Sequence, residues 1–264
     1  MPQTMDLSVF ERRFSDMDQT AGQIFIDATK YPDLKKTDAM LGLPEPDRPV
    51  PSGKIIMLPD PLKGHQTIDL TTLLLKRRSL RIYTGKSLTK EQLSYLLWAA
   101  QGVSGVSESF RTAPSAGALH PIDIYIAVQK VEDIPIGIWR YYPNGHLLEL
   151  ITEGPSPIAA LGKACMMQPA VLRAPVVFCF AATPYRTVWK YGVRGYRDLF
   201  LDAGHICENL YLAGTQEELG ICAIGAFYDD EVHGVLGLSK DQVFLYAAAC
   251  GHPKIKEQQS KKED

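Results

Sequence analysis

Hydrophobic residues recur along the middle of the chain with two different periods, which predict helices and strands. Leucine and alanine recur at helical spacing over Leu93–Ala100, between a capping-box signature at Thr89–Gln92 and the helix-ending Gly102. Every second residue of Ile122–Val128 is Ile or Val, which predicts a strand with one buried face. A hydrophobic stripe over Asp198–Leu219 predicts a second, longer helix.

Further hydrophobic runs complete a mixed set of helices and strands. Ile136–Tyr142 and His146–Ile151 flank the turn sequence Pro143–Gly145, which predicts a hairpin. Val176–Ala181 predicts a buried strand, and Val243–Cys250 predicts a final strand. Because helices and strands mix without regular βαβ alternation, the predicted fold class is α+β.

The first 66 residues differ from the rest of the chain because prolines are concentrated there. Six prolines stand between Pro44 and Pro61, and prolines at this density keep a chain extended and unable to donate backbone hydrogen bonds. We therefore predict an arm, residues 1–66, that lies over a compact domain at residues 67–253. A charged, solvated tail at residues 254–264 follows the domain.

Length, composition and charge exclude several classes of protein. With 264 residues, 45% of them hydrophobic and 22% charged, the chain is neither fibrous nor disordered as a whole. Lys+Arg is 28 and Asp+Glu is 30, which gives a formal charge of -2 and no basic excess for nucleic-acid binding. Apolar stretches such as Ala174–Ala182 are shorter than the roughly 20 residues of a membrane span. Met1–Phe10 has no signal-peptide pattern.

The cysteines and histidines predict neither disulfides nor a metal site. The chain has five cysteines and no Cys-x-x-Cys, and Cys179 and Cys250 stand inside apolar runs. We therefore expect five reduced thiols in a cytoplasmic protein, most of them in the core. His205, Cys207 and Glu208 are close in sequence, but positions i and i+2 of a helix face different sides.

Four short segments carry residues suited to binding or chemistry. The run Arg77–Arg81, at the end of a predicted helix, contains three guanidinium groups and a hydroxyl that can hold a phosphate. Small residues in Ala113–Pro121 allow a flat ligand or another backbone to approach closely. Gly225–Ala226 can present a backbone N–H. Lys190–Tyr191 can transfer protons if a pKa shifts toward neutrality.

Each of these segments alone also has an ordinary structural interpretation. A basic run is often a solvated face, the small residues can form a plain loop or tight turn, and a Lys-Tyr pair is often on the surface. No Gly-x-Gly-x-x-Gly follows a predicted strand, so the sequence does not predict a dinucleotide-binding fold.

Taken together and in order, the segments resemble the FMN-dependent nitroreductase superfamily and, within it, the SagB/ThcOx-type dehydrogenase branch. The resemblance spans about Ile68 to Pro253, and the arm around Ala28–Tyr31 is similar to the N-terminal extension of that branch. The matching motifs are Arg77–Arg81, Pro114–Pro121, Lys190–Gly192, Arg194–Arg197, Asp202–His205 and Ile224–Phe227. The resemblance implies a central, mostly antiparallel sheet flanked by helices, in a homodimer.

The resemblance also implies FMN as the cofactor, with NADH or NADPH as an electron donor. Arg77, Arg78 and Ser79 match positions that hold the phosphate and ribityl chain. Arg81 matches a basic position near the pyrimidine edge of the ring, where a cation stabilises the reduced flavin.

Two further segments match parts of the family that contact the flavin ring. The first is a loop that in the family comes from the other subunit, matched here by Pro114, Ser115, Ala116 and Gly117. The second lies against the ring near N5, matched here by Ile224, Gly225 and Ala226.

The predicted function is an FMN oxidoreductase that passes hydride to or from flavin N5, and two substrate classes remain open. One is NAD(P)H-driven reduction of nitro or quinone compounds. The other is oxidation of an azoline-like C–N bond on a peptide or small molecule, with Lys190 and Tyr191 as catalytic residues. For that role, Arg194 and Arg197 are expected to lower the pKa of either side chain. The alternative is a flavin-binding or scaffold subunit without turnover.

Overall fold

The structure is a computed structural model that describes residues 20–31, 36–65 and 67–254. The predicted arm therefore lies partly outside the described residues, and so does the charged tail beyond Lys254. Within the described residues, no helix is long and apolar enough to cross a membrane. The same residues contain no group of three or more His, Cys, Asp or Glu side chains placed to hold a metal.

The described residues form seven strands and a set of surrounding helices. The strands are β1 (Ile55–Met57), β2 (Ile122–Val128), β3 (Gly137–Tyr142), β4 (Leu147–Glu153), β5 (Val176–Ala182), β6 (Gly220–Ile224) and β7 (Val243–Gly251). The helices are α1 (residues 20–28), α2 (Leu70–Lys76), α3 (Lys90–Gln101), α4 (Pro155–Ala164), α5 (Pro169–Arg173), α6 (Tyr185–Tyr191), α7 (Gly195–Gln216) and α8 (Asp229–Leu236). Short 3₁₀ turns occupy Ala116–Ala118 and Gly192–Arg194.

All seven strands belong to one sheet with the order β1-β4-β3-β2-β5-β7-β6. Every neighbouring pair of strands is antiparallel, and the predicted hairpin joins β3 to β4 with Tyr142 opposite Leu147. Beyond β6, Ser79 forms a parallel bridge with Ile221. The predicted α+β class and mostly antiparallel sheet are confirmed.

The sheet is buried on both faces, so the prediction of a single buried face for β2 was wrong. Ile124 and its alternate neighbours pack into a core with α3 and α7. Tyr125 and Ala127 on the opposite face are also buried, in a second core that includes Leu161 of α4 and Val232 of α8. Both residues can pack against these helices because the alanine is small and the tyrosine ring is mostly apolar.

The predicted capping box at the start of α3 and the predicted end of the helix at Gly102 are both confirmed. Thr89 Oγ1 accepts the Gln92 N–H at 3.1 Å, and Gln92 Oε1 accepts the Thr89 N–H at 3.2 Å. The helix ends at Gly102, whose N–H donates to Trp98 O. By contrast, α2 stops at Lys76 and does not continue into the arginine-rich run.

The longer described part of the arm, residues 36–65, packs along the surface of the domain. The backbone N–H groups of Ser52 and Gly53 each donate to Glu149 Oε1 at 2.7 Å. Strand β1, which the sequence did not predict, pairs with β4. Trp189 Nε1 of α6 donates to Leu43 O at 3.1 Å. We propose residue 66 as the boundary between arm and domain.

All five cysteines are buried and none is in a disulfide. Burial raises the pKa of Cys165 to about 11 and is the main cause that raises the pKa of Cys207 to about 12. The predicted role of small core residues is therefore confirmed.

Candidate active site

The basic run Arg77–Arg81 lies beside β6 as an extended segment. The Leu80 N–H donates to Ile221 O at 2.9 Å, and the guanidinium of Arg77 lies 5.5 Å from the centre of the Tyr211 ring. Arg78 is exposed and donates to backbone carbonyls of its own turn. No carboxylate of the described residues forms a salt bridge with this run. The segment therefore presents positive charge that an anion can neutralise.

Tyr211 of α7 connects this basic run to β6. Its hydroxyl accepts the Ala223 N–H at 2.8 Å and lies 3.1 Å from Ser79 Oγ. The tyrosine is only 8% exposed. In the sequence Tyr211 stands in a long helix with no neighbouring polar motif, so nothing marked it as part of the site.

The segment Ile224–Ala226 continues from the end of β6. Ile224 is buried, whereas Gly225 and Ala226 are exposed. Neither exposed residue donates its backbone N–H to another described residue, and a Cβ at Gly225 would have only the Tyr246 ring within 4.0 Å. Together with Arg77–Arg81 and Tyr211, this segment forms what we call the basic half of the site.

The loop Pro114–Gly117 is held by a buried carboxylate on α7. Asp202 accepts the Ser115 hydroxyl at 2.5 Å and the Ala116 N–H at 3.3 Å. Burial raises the pKa of Asp202, and these two hydrogen bonds oppose the shift. Ser115 Oγ in turn accepts the His120 N–H at 2.9 Å. Asp202 thus fixes the loop to the helix.

Lys190 and Tyr191 lie directly against the same loop. Gly117 has φ of +61°, and a Cβ added to it would lie 2.5 Å from Tyr191 Oη and 3.0 Å from Lys190 Nζ. The loop Pro114–Gly117, Asp202, Lys190 and Tyr191 form what we call the loop half of the site.

The expected lowering of the Tyr191 pKa by nearby arginines was wrong. Burial is the largest cause that raises the Tyr191 pKa, and the carboxylates of Asp198 and Asp202 add to it. Arg197 instead donates to Thr29 and Ile26 of the arm. Arg194 lies over the ring of Tyr31, so both cations are engaged by the first part of the chain.

The two halves are anchored at different positions along α7. Asp202 of the loop half and Tyr211 of the basic half are nine residues apart on α7. At about 1.5 Å of rise per residue, their backbone positions are separated by roughly 13.5 Å along the helix axis.

Comparison with known proteins identifies the family. The nitroreductase family model matches residues 74–252, which is more than half of the chain. The chain belongs to the nitroreductase family. The predicted family is confirmed, and membership makes this protein an oxidoreductase.

Three relatives illustrate how far the similarity extends. A protein of Methanocaldococcus jannaschii named as a nitroreductase is 37% identical over 191 residues, which cover 72% of this chain and 93% of that protein. The trifolitoxin-processing protein TfxB of Rhizobium leguminosarum bv. trifolii is 29% identical over 163 residues, 58% of this chain and 38% of TfxB. A crystal structure from Anabaena variabilis named as a nitroreductase matches with a TM-score of 0.66 and 31% identity. The match covers 76% of this chain but only 42% of the Anabaena protein.

Proposed function

We propose that this nitroreductase-family protein is an FMN-dependent oxidoreductase. The observation that carries the proposal is the basic half, where three arginines without carboxylate partners lie along β6, the strand from which the exposed Gly225 and Ala226 continue. Such a surface fits a ligand with a phosphate at one end and a flat hydrogen-bonding ring at the other. FMN has both parts.

Each predicted cofactor residue has a role that its surroundings permit. Arg77, Arg78 and Ser79 would hold the phosphate and ribityl chain, since charge-assisted hydrogen bonds from guanidinium groups suit phosphate. The Arg81 guanidinium would stabilise negative charge on the reduced ring, and the free N–H of Gly225 would donate to the ring's acceptor nitrogen. When bound, FMN supplies a centre that accepts and donates hydride.

We also propose that two copies of the chain complete the site. Asp202 and Tyr211, which anchor the two halves, lie roughly 13.5 Å apart along α7, and in the dimer a partner's loop half would lie beside each basic half. The exposed face of α7 supports a dimer, because Tyr196, Phe200 and Leu201 there are 42–60% exposed. Apolar side chains grouped on one exposed helix are typical of an interface.

The protonation of Tyr191 favours reduction of nitro or quinone compounds by NADH or NADPH. Its raised pKa keeps the phenol neutral at physiological pH, so Tyr191 is a poor base for the proton that C–N dehydrogenation releases, whereas reduction of a nitro or quinone compound does not require it as a base. The Lys190 side chain is exposed beside it. We therefore place both residues on the substrate side of the site.

A second candidate activity is dehydrogenation of an azoline-like C–N bond on a peptide or small molecule, as in the SagB/ThcOx-type branch. The similarity to TfxB, named as a trifolitoxin-processing protein, supports a peptide substrate. In this reaction Lys190 would accept the proton that remains after hydride removal. We propose a cytoplasmic location for either activity, because free buried thiols persist in reducing compartments.

The test begins with the purified protein, its visible spectrum and the flavin that denaturation releases. We expect FMN rather than FAD, and we expect Arg77→Ala to weaken FMN binding roughly tenfold to a hundredfold. Arg173→Ala, which removes an exposed arginine of α5, is the matched control and should bind FMN normally. A colourless protein that takes up no added FMN would refute the proposal.

Anaerobic reduction then separates an enzyme from a scaffold subunit. Bleaching of the bound flavin by NADH or NADPH supports turnover, whereas flavin that neither nucleotide nor a C–N substrate reduces would indicate a non-catalytic flavoprotein. The double variant Lys190→Ala, Tyr191→Phe distinguishes the two activities. It should lower C–N oxidation by about 10²–10⁴-fold, while simple nitro reduction would continue nearly unchanged.

A further inference from the structure

A separate cavity of about 110 Å³ lies between the arm and the sheet, outside both halves of the site. Arm residues Arg48–Pro51 cover it on one side, and residues of β2 and β3 line the other. Four arginines line this cavity, namely Arg48, Arg111, Arg140 and Arg186. Asp123 is the only carboxylate among its lining residues. The lining thus carries three more positive than negative charges.

Asp123 is already shared between two of these arginines. Its Oδ2 accepts from Arg140 Nη2 at 2.8 Å, and its Oδ1 accepts from Arg186 Nη1 at 3.0 Å. All three side chains are at least 86% buried. One carboxylate is therefore shared by two buried guanidinium groups, so this trio keeps a net positive charge and Asp123 cannot neutralise Arg48 or Arg111.

Arg48 and Arg111 have no carboxylate partner inside the cavity. Arg48 donates to the carbonyl oxygens of Leu119 and His120, and it reaches Glu45 only at 3.4 Å on the exposed side. Arg111 donates through Nε to Glu108 O, and to no other described residue. Burial, together with repulsion from Arg48, lowers the pKa of Arg111 to about 10. A bound anion would relieve this repulsion.

Buried polar atoms without partners occur on residues that line the same cavity. Arg186 Nε is a donor without a partner, on a side chain that is only 6% exposed. His120 Nδ1 and Asn144 Oδ1 are also unpartnered. His120 is neutral at physiological pH, because burial lowers its pKa to about 4. Its Nε2 lies 3.0 Å from Ser109 O, which assigns the proton to Nε2 and leaves Nδ1 as an acceptor.

We propose that this cavity binds a small oxyanion of the phosphate class. The unpaired arginine N–H groups donate to oxyanion oxygens, and guanidinium groups bind such oxygens with two parallel hydrogen bonds. The acceptors His120 Nδ1 and Asn144 Oδ1 require a ligand that also has a hydroxyl donor. Hydrogen phosphate has both kinds of group, whereas sulfate at neutral pH has no O–H.

The phosphate can be a free ion or a group on a larger molecule. A neighbouring cavity of about 390 Å³ shares Arg48 and is lined by Gly117 and Lys190 of the loop half. A phosphomonoester would place its phosphate among the arginines and its organic part in the larger cavity; because its dianion has no O–H, a donor on that organic part would have to reach His120 Nδ1 and Asn144 Oδ1. These two sources make different predictions for the relative affinity of phosphate and a phosphomonoester.

The test is calorimetric titration of the full-length, FMN-saturated protein with inorganic phosphate in a phosphate-free buffer of constant ionic strength. We expect saturable binding of one phosphate per chain, with weaker binding of sulfate and none of chloride. O-phosphoserine identifies the source. Binding at least as tight as phosphate indicates a group on a larger molecule, and weaker binding indicates the free ion.

Arg111→Gln is the decisive variant, because loss of the Arg111 guanidinium leaves no carboxylate without a partner. We expect it to weaken phosphate binding at least tenfold, while its melting temperature without phosphate stays the same or rises. Arg173→Gln on the exposed surface is the matched control. Arg48→Gln serves if Arg111→Gln does not fold. The proposal would be overturned if the wild type bound no phosphate, or if Arg111→Gln and Arg48→Gln both bound phosphate as tightly as the wild type.

Discussion

Replacing Tyr211 with phenylalanine tests whether one hydroxyl joins the basic run to β6. The ring would stay in place, so its packing and the Arg77 guanidinium above it are retained. The Ala223 N–H would lose its partner at 2.8 Å, and water has little access because Tyr211 is 8% exposed. Ser79 is exposed, so its hydroxyl can bond to water instead. The loss of the Ala223 bond therefore dominates the expected effect.

We expect Tyr211→Phe to lower the free energy of unfolding by about 1–3 kcal/mol, the usual cost of leaving a buried donor without a partner. For a domain of this size each kcal/mol shifts the melting temperature by about 2–4 °C. FMN affinity should fall less than in Arg77→Ala, because the guanidinium groups that would hold the phosphate are unchanged.

Urea unfolding followed by far-ultraviolet circular dichroism measures this loss of stability. Tyr228→Phe provides the matched control, because it deletes a hydroxyl from a tyrosine that is 53% exposed. Surface changes of this kind usually stay within about 0.5 kcal/mol. If Tyr211→Phe is as stable as the control, the hydroxyl does not connect the two segments and the reasoning fails.

Three further predictions concern the loop half and the pH dependence of stability. Gly117→Ala should lower the free energy of unfolding by at least about 1–2 kcal/mol, because the φ of +61° at Gly117 disfavours a side chain and the new Cβ would meet Tyr191 Oη. Unchanged stability in urea unfolding would contradict the close approach of Tyr191 to Gly117. Asp202→Asn should lower the free energy of unfolding by about 1–3 kcal/mol in the same assay, since an amide offers one acceptor oxygen to the two donors of Ser115 and Ala116. A urea midpoint equal to that of the wild type would show that Asp202 does not fix the loop to α7. Burial lowers the pKa of His146 from 6.5 to about 4, so the unfolded chain binds the proton more tightly and stability should fall as pH drops through that window. His146→Gln should show a shallower fall in the urea midpoint, and an unchanged slope would exclude this histidine as a cause.

Elements with strong local signals were predictable from the sequence. The α3 capping box and the turn at Pro143–Gly145 involve residues a few positions apart, so their interactions are visible in the sequence itself. Strands β1 and β6 were missed because they have three and five residues. Strands this short are defined by pairing with β4 and β7, which lie outside any local sequence window around them.

The candidate site was predictable by residue type but not by geometry. The arginines of Arg77–Arg81 are conspicuous as a run, whereas Asp202 belongs to a matching motif that does not show its partner, and Tyr211 belongs to no motif. Their partners Ser115 and Ser79 are 87 and 132 positions away, so no local pattern indicates the contacts. The direction of the Tyr191 pKa shift was missed for the same reason, since Ile26, Thr29 and Tyr31 of the arm engage the nearby arginines.

The placement of β1 and of Ser79 at the two margins of the sheet bears on how copies of this protein can associate. An open edge strand offers unpaired N–H and C=O groups to another chain and invites aggregation. Here one edge is β1, which has only three residues and is bounded by Pro51 and Pro59. The other edge, β6, is covered where Ser79 bridges Ile221. Intermolecular strand addition is therefore disfavoured at both margins, and copies of the chain are left to associate through their helices.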